Sequence, residues 1–201
     1  MKPPITSDSL LSLIQERRTC YQFEPLESSP VSDKELYTCL EAARWAPNHK
    51  LTQPWRFWII EGKSKQDLAH IYADNRALKR AANEASLYEG FYEKAFRKFL
   101  DIPRVVLVGQ VLDVDPITQK EDYAACACAI QNFQLMAWQQ TIGVQWSTGP
   151  ILSDKRTYER LEVDSKQIEL IGALYLGHIK AGCNHPNPKR KPLDQVVSKL
   201  N

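Results

Sequence analysis

The stretch from Thr118 to Thr141, TQKEDYAACACAIQNFQLMAWQQT, predicts one long helix with small side chains in its middle. Alanine favours the helix, and small side chains allow neighbouring elements to approach the helix axis closely. Gly143 is expected to end this helix, because glycine readily adopts the left-handed conformation found after helix ends. The chain is therefore expected to fold around a central helix that is packed on all sides.

Three apolar stretches predict the strands of a sheet beside this helix. They are RFWII at 56–60, PRVVLVGQVL at 103–112 and QIELIGALYLGHI at 167–179. Helical spacing of apolar residues predicts a helix at 8–18, and a capping box at Ser32 and Glu35 predicts the start of one at 33–44. Further helices are expected at 63–72, 76–100 and 153–161, the one at 76–100 being long and polar. The mixture indicates a helix-rich α+β fold, and the length suits one domain over residues 1–201.

Charge and composition argue against several classes of protein. The formal net charge of +2 is too small to indicate a nucleic-acid binder. No apolar run approaches the roughly 20 residues of a membrane-spanning helix, and the N-terminal residues lack the pattern of an export signal. We therefore expect a cytoplasmic protein whose five cysteines are reduced thiols.

Two basic stretches are candidate phosphate sites. In RRTCYQF, Arg17 and Arg18 with the hydroxyl of Thr19 can form several charge-assisted hydrogen bonds to one phosphate. The alternative is that both arginines complement a helix dipole and face water. In PNPKRKPL, Lys189 and Arg190 can reach a phosphate or belong to a solvated tail.

The connection APNHKLTQPW is unusually polar for a loop that leads directly into a strand. Gln53 offers a donor and an acceptor, which suits a heterocycle with imide edges. His49 and Lys50 offer positive charge. The two prolines could instead simply shape an exposed loop.

The stretch GVQWSTGP combines glycines that permit close backbone approach with polar and aromatic side chains. Trp146 offers a flat apolar face, and Ser147 and Thr148 offer hydroxyls and backbone amides. A tight strand exit with ordinary polar residues would explain the same pattern.

Common catalytic fingerprints are absent from the sequence. It contains no G-x-G-x-x-G after a strand, no Walker loop and no G-x-S-x-G. Cys126 and Cys128 lie two apart in a helix and would point away from each other, and the four histidines show no metal-ligand spacing. The sequence therefore predicts no metal site, and no side chain stands out as an acid, base or nucleophile.

Together and in this order, these stretches resemble the FMN-dependent nitroreductase family, and most closely its compact short-chain branch. That family carries R-R-S-x-R-x-F, then A-A-x-x-A-P-S and Q-P-W-x-F, then G-x-x-x-W-x-x-G or a close variant after the central helix, and finally L-G and R-K-P-L. Its short-chain branch also has a His-Lys pair after A-P and a W-x-S/T-G turn. The matching stretches are residues 17–23, 42–48, 53–57, 143–149, 176–177 and 190–193. Each motif is a weak signal alone. Together they occur in the family's order and span nearly the whole chain.

The resemblance implies a nitroreductase-like fold in which helices surround a central mixed or antiparallel sheet. It also implies an intertwined homodimer with two FMN molecules at the interface, NAD(P)H as reductant, and a tail at 181–201 that wraps the partner. The loop residues would approach the flavin of the second subunit. The residues implied to bind the cofactor are Arg17, Arg18, Thr19, Trp45, His49, Gln53, Trp146, Ser147, Thr148, Lys189 and Arg190.

The implied activity is ping-pong transfer of hydride from NAD(P)H through flavin N5 to a nitroaromatic, quinone or enone, with Lys50 or His49 as a cation beside the flavin. No protein acid or base is implied. Tyr21 replaces the last arginine of R-R-S-x-R, and Leu51 replaces the usual asparagine of the loop. These departures bear on which acceptor is reduced more than on flavin binding. The alternatives are dehydrogenase, dehalogenase or flavin-degrading activity on the same scaffold, or a non-catalytic binding protein.

Overall fold

A computed structural model describes residues 5–183, 185 and 188–200. Parts of the predicted domain and tail, namely Met1–Pro4, Asn184, Pro186, Asn187 and Asn201, lie outside the described residues. The helices are α1 (Ser7–Glu16), α2 (Asp33–Arg44), α3 (Gly62–Arg80), α4 (Tyr88–Leu100), α5 (Pro116–Gln139) and α6 (Lys155–Leu161). The strands are β1 (Trp55–Ile60), β2 (Arg104–Val111), β3 (Ile142–Ser147) and β4 (Ile168–His178).

The four strands form one antiparallel sheet in the order β1-β2-β4-β3. Alternate residues of β2 face opposite sides of this sheet, as strand geometry requires. Val106 and Val108 pack with α2 and α5, whereas Val105 and Leu107 pack with α3 and α4. Helices therefore cover both faces, and the predicted α+β fold is confirmed.

The central helix is only partly enclosed within one chain. Ala125, Cys126 and Ala129 of α5 are buried between α2 and the sheet, as predicted. Ala124 and Cys128 lie on a face of α5 that is exposed. The expectation of packing on all sides is therefore wrong for the single chain, because no described element covers this face.

The predicted helix at 76–100 is also wrong, since residues 81–87 separate α3 from α4. The break allows α4 to fold back along α3. The hydroxyl of Tyr88 donates to Asp74 at 2.7 Å, and the rings of His70 and Phe96 lie 4.5 Å apart. A straight helix could not bury the aromatic face of α4 in this way, because that face would project beyond the sheet.

The end of α5 and the position of β3 both differ from the sequence expectation. α5 ends at Gln139, and Thr141 rather than Gly143 takes the positive φ, at 58°. Gly143 lies inside β3. GVQWSTGP is thus mainly a strand, and its edge is covered by the segment that follows α1.

Residues 17–23 cross the open edge of β3 and are called the edge segment below. α1 ends at Glu16, two residues earlier than predicted, because Arg17 turns to an extended ψ of 130°. Thr19 forms a parallel bridge with Val144, and the backbone N–H of Cys20 donates to the Val144 carbonyl at 3.1 Å. This pairing satisfies backbone groups that an edge strand would otherwise expose.

Among the described residues, no helix is long and apolar enough to cross a membrane.

We expect Gly143→Ala to loosen the edge segment, because an added Cβ would lie 2.6 Å from Sγ of Cys20 and overlap its Cβ. Overpacking of this kind should lower the free energy of unfolding by about 1–3 kcal/mol. The matched control is Gly90→Ala in α4, where an added Cβ meets nothing within 4 Å. This control should raise stability, since alanine favours a helix interior. Urea denaturation compares the two, and an unchanged stability in Gly143→Ala would contradict the packing.

Candidate functional site

A basic cavity of about 430 Å³ lies where the end of α1 meets α5 and the C-terminal tail. Arg17 and Arg18 line it from the edge segment, and Arg190 lines it from the tail. Gln131 of α5 completes the wall. The fold thus brings together arginines that are more than 170 positions apart in the chain.

The guanidinium groups in this cavity repel one another and lack a counter-charge. Burial lowers the pKa of Arg17, and the nearby charges of Arg18 and Arg190 lower it further. Among the described residues, no carboxylate forms an ion pair with these three arginines. Such a cluster is unfavourable alone and favours binding of a polyanion such as a phosphate group.

Arg17 holds the strongest sign of a missing ligand. Its Nη1 donates to Oε1 of Gln134 at 3.4 Å, whereas its Nε is buried and finds no hydrogen-bond partner in the part of the chain that the structure describes. A buried donor without an acceptor costs about 1–3 kcal/mol. A phosphate oxygen in the cavity would remove that cost.

A second cavity, of about 520 Å³, lies on the face of the sheet that α3 and α4 cover. Its volume falls in the range of small-molecule sites. The edge segment contributes Tyr21, Gln22 and Phe23, and the end of β3 contributes Ser147. The other walls come from α3, α4, β4 and the turn after β3, through Tyr72, Asn75, Arg76, Lys98, Asp101, Ile102, Gln145, Gly149, Pro150, Ile151, Tyr175 and Lys180.

The hydroxyl of Tyr175 is a polar group inside the second cavity. It is buried, and it finds no hydrogen-bond partner with good geometry although Ser147 is close. Burial raises the pKa of Tyr175 well above its usual value, so the phenol stays neutral and keeps its proton. It is therefore available as a donor to a bound ligand.

The edge segment joins the two cavities. Arg17 and Arg18 line the basic cavity, and Tyr21 lines the second one. Four extended residues span about 13 Å, so the cavities are separated by roughly the length of a nucleotide-sized ligand. Thr19 lies between them and is partly buried. This arrangement suits a ligand with a phosphate at one end and a flat polar group at the other.

Three predicted residues near β3 and in the tail do not form the walls of the two cavities, namely Trp146, Thr148 and Lys189. Trp146 faces the opposite side of the sheet from Ser147, and its indole N–H donates to the Ile171 carbonyl at 3.2 Å. In one chain it therefore packs in the core rather than lining either cavity. Thr148 is exposed beside the second cavity, and Lys189 is exposed next to Arg190.

The predicted loop, residues 45–53, lies on the surface and has strained backbone geometry. Lys50, Leu51 and Gln53 have φ of 53°, 55° and 44°, a region that residues other than glycine rarely adopt. The side-chain oxygen of Asn48 accepts the Gln53 N–H at 3.0 Å, and Thr52 donates to buried Asp122 at 2.6 Å. These contacts hold the strained loop in place.

In a single chain this loop does not reach the basic cavity. His49 contacts Glu121 near the start of α5 at 2.8 Å, whereas Arg17 contacts Gln134. Thirteen helical residues span about 20 Å. Trp45 is 72% exposed, and its indole donates to Glu41 at 2.9 Å. The exposed loop side chains therefore face outward from the chain that holds them.

Sequence reasoning missed the residues that α3, α4 and β4 bring to the second cavity. Tyr72 and Arg76 stack on each other, with the guanidinium carbon 5.2 Å from the ring centre, and Tyr175 packs edge-on to Tyr72. No local motif marks these residues. Only the pairing of β3 with β4, and the packing of α3 across them, places them beside Ser147.

A sequence model of the nitroreductase family matches residues 14–178. The chain is 30% identical over 151 residues to the Bacillus subtilis (strain 168) protein named "Putative NAD(P)H nitroreductase YfhC", which covers 75% of this chain and 74% of that protein. It is 26% identical over 186 residues to the Escherichia coli (strain K12) protein named "Putative NAD(P)H nitroreductase YdjA", covering 90% of this chain and 96% of that one.

Solved structures share the fold over nearly the whole chain. The nitroreductase-like family protein from Bacillus cereus has a TM-score of 0.78 at 26% identity, covering 98% of this chain and 99% of its own. Iodotyrosine deiodinase bound to FMN and 3-iodo-L-tyrosine has a TM-score of 0.70 at 20% identity, covering 96% and 98%. The latter shows the shared fold alone. The family match and its extent, together with the YfhC relative, show that this chain belongs to the nitroreductase family of oxidoreductases.

Proposed function

We propose that this protein is an FMN-dependent NAD(P)H oxidoreductase of the nitroreductase type, acting on nitroaromatic, quinone or enone acceptors. The observation that carries the proposal is that the edge segment lines two cavities. One is the basic cavity, whose arginines form no ion pair with a described carboxylate, and the other has polar walls. Family membership and the names of its relatives support the same conclusion. The reduced thiols and the sequence composition fit a cytoplasmic location.

Arg17, Arg18 and Arg190 would bind the FMN phosphate. Their charges would neutralise the dianion, and the unpartnered Nε of Arg17 would gain an acceptor. The hydroxyl of Thr19 would lie along the ribityl chain between the two cavities, and Lys189 would add charge at the rim. A bound phosphate would thus offset the repulsion between these arginines.

The second cavity would hold the flavin ring. Bound FMN supplies the electron-carrying chemistry, whereas the protein supplies orientation and charge. Ser147, with Thr148 and its backbone amide, can bind the polar edge of the ring. Arg76 and Lys180 add positive charge to a cavity in which Tyr21 replaces the arginine of the family pattern. Cations here would stabilise negative charge that develops on the ring during reduction.

The purified protein should be yellow, release about one FMN per chain on denaturation, and oxidise NADPH or NADH when a nitroaromatic or quinone is added. Arg17→Ala and Arg190→Ala should each weaken FMN binding tenfold or more, because a hydrogen bond to a charged group contributes about 1.5–3 kcal/mol. Flavin fluorescence titration measures the affinity. Colourless protein that takes up no FMN and oxidises no NAD(P)H would contradict the proposal.

The control is Arg97→Ala, which removes an exposed arginine of α4 that pairs with Glu93 at 3.6 Å. This variant should bind FMN normally. If it weakens FMN binding as much as Arg17→Ala does, the effect reflects general charge and not the basic cavity. A panel with halogenated tyrosine among the acceptors separates nitroreductase from dehalogenase activity.

We also propose that two chains form an intertwined homodimer and share their sites. α1 has no buried residue, and its Leu10, Leu11 and Ile14 are exposed. The face of α5 that carries Ala124 and Cys128 is open as well, and small side chains allow another helix to approach closely. Exposed apolar surface of this extent favours association.

The described part of the tail supports the same assembly. Leu193, Val196, Val197 and Leu200 are exposed, so the tail has no core of its own within one chain. We propose that it wraps the partner subunit. The loop residues Trp45, His49 and Gln53, which face outward from their own chain, would then approach the flavin bound mainly by the partner.

Subunit complementation tests this sharing. Arg17→Ala and the double variant His49→Ala/Gln53→Ala should each lose flavin affinity as homodimers. If each site takes Arg17 from one chain and the loop from the other, a mixed dimer has one intact site and one doubly defective site. Co-expression with two affinity tags should therefore restore tight FMN binding at about half of the sites in the heterodimer.

The matched control pairs Arg17→Ala with Arg190→Ala. Both residues belong to the basic cavity of one chain, so each site of this mixed dimer keeps one defect and no tight site should return. Recovery in the control, or none with the loop variant, would contradict the proposed sharing.

A further inference from the structure

Three side chains of the types that bind metals meet at the edge segment, and these three residues do not line either cavity. They are Cys20, Cys183 and His185, and one ligand atom from each lies within 4.8 Å of the other two. Cys20 is buried, and the other two are partly buried. The sequence did not suggest this group, because Cys20 lies 163 positions from Cys183.

The fold fixes Cys20 rigidly in this cluster. Its N–H donates to the Val144 carbonyl, and its side chain packs so closely on Gly143 that no larger residue fits there. Its Sγ has a weak contact with the Gln22 carbonyl at 3.1 Å. The fold therefore fixes the position of Cys20 before any metal ion binds.

A tight turn brings Cys183 to Cys20. The Cys183 N–H donates to the Lys180 carbonyl at 3.0 Å, and Gly182 has a φ of 72°, as expected for the third residue of a type II turn. The turn is anchored to the edge-segment side of the sheet, since the Ala181 N–H donates to a carboxylate oxygen of Glu24 at 2.7 Å.

His185 has a buried polar atom that indicates a missing ligand, as Arg17 does in the basic cavity. Its Nε2 is buried and has no hydrogen-bond partner among the residues that the structure describes. The ring packs edge-on to Trp138 with the centroids 5.5 Å apart, which holds its plane. A buried imidazole nitrogen without a partner is costly, and binding a metal ion is one way to remove that cost.

We propose that Cys20, Cys183 and His185 bind one divalent ion of the zinc class, with the fourth position open to water or another donor. Zinc binds sulfur at about 2.3 Å and nitrogen at about 2.0 Å, so tetrahedral ligand atoms lie roughly 3.3–3.8 Å apart. This spread fits inside the observed limit of 4.8 Å. Two thiolates balance the charge of the ion, so the site adds no net charge to the neighbouring arginines.

The proposed ion would connect the edge segment to the tail. Cys20 follows Thr19 directly, and His185 precedes Arg190 by five positions. A metal bond between these two segments would hold Arg190 against Arg17 at the basic cavity. The ion would thus act as a structural clamp and take no part in electron transfer.

A disulfide between Cys20 and Cys183 is the competing outcome. It would require an external oxidant to take two electrons as both thiols lose their protons. A bound dication, in contrast, can displace the thiol proton directly.

Metal analysis of the full-length flavin-loaded protein, expressed with added zinc and purified without chelators, tests the site. We expect about one zinc ion per chain. Replacement by Co²⁺ should give the intense d–d bands of a tetrahedral thiolate site, at wavelengths longer than the flavin absorption. Cys183→Ser and His185→Gln should lower zinc affinity tenfold or more in a competition with a coloured chelator.

The matched control is Cys128→Ser, which removes an exposed cysteine of α5 outside the cluster and should keep its zinc. Circular dichroism confirms that each variant is folded, and Cys183→Ser avoids replacing the buried Cys20. Absence of zinc from the wild type would overturn the proposal, as would equal zinc content in Cys183→Ser. A disulfide would also overturn it, shown by an intact mass two hydrogens lower and by Cys20 and Cys183 that do not react with a thiol reagent. FMN content is measured separately, so a failure of flavin binding does not affect the result.

Discussion

The contact between Cys20 and Gly143 is the constraint on which the rest of the site depends. It presses the edge segment against β3 so closely that residue 143 has no room for a side chain. The backbone pairing at Thr19 and Cys20 then closes the edge of the sheet. Because this segment is fixed, Arg17 and Tyr21 line separate cavities whose distance from each other is also fixed. One short stretch of sequence therefore contributes to both ends of the proposed ligand site.

Electrostatics explains why this site is unfavourable without a ligand. Three guanidinium groups lie around one cavity, and one of them has a buried donor without a partner. Stability alone would favour replacing at least one of these arginines by a neutral residue. A bound anion would convert this mutual repulsion into charge-assisted hydrogen bonds. The same reasoning applies to the buried nitrogen of His185.

Local patterns in the sequence predicted most of the elements and singled out the arginines of the basic cavity. The capping box at Ser32 and Glu35 forms as expected, with the Ser32 N–H donating to the Glu35 carboxylate at 2.8 Å. Arg17, Arg18 and Arg190 meet as the family resemblance implied. The break between α3 and α4 was missed, because residues 81–87 contain no proline or glycine to mark it, and only tertiary packing shows that α4 folds back.

The second cavity was harder to predict, since β4 and α3 supply Tyr175 and Arg76 through packing and not through a motif. The proposed metal ligands were missed for the same reason: a turn and a strand edge bring together side chains with no characteristic spacing. Residue spacing indicates a site only when its ligands share one element. In this chain both proposed ligands bind between the edge segment and distant parts of the sequence, so the sites exist only after the sheet has formed.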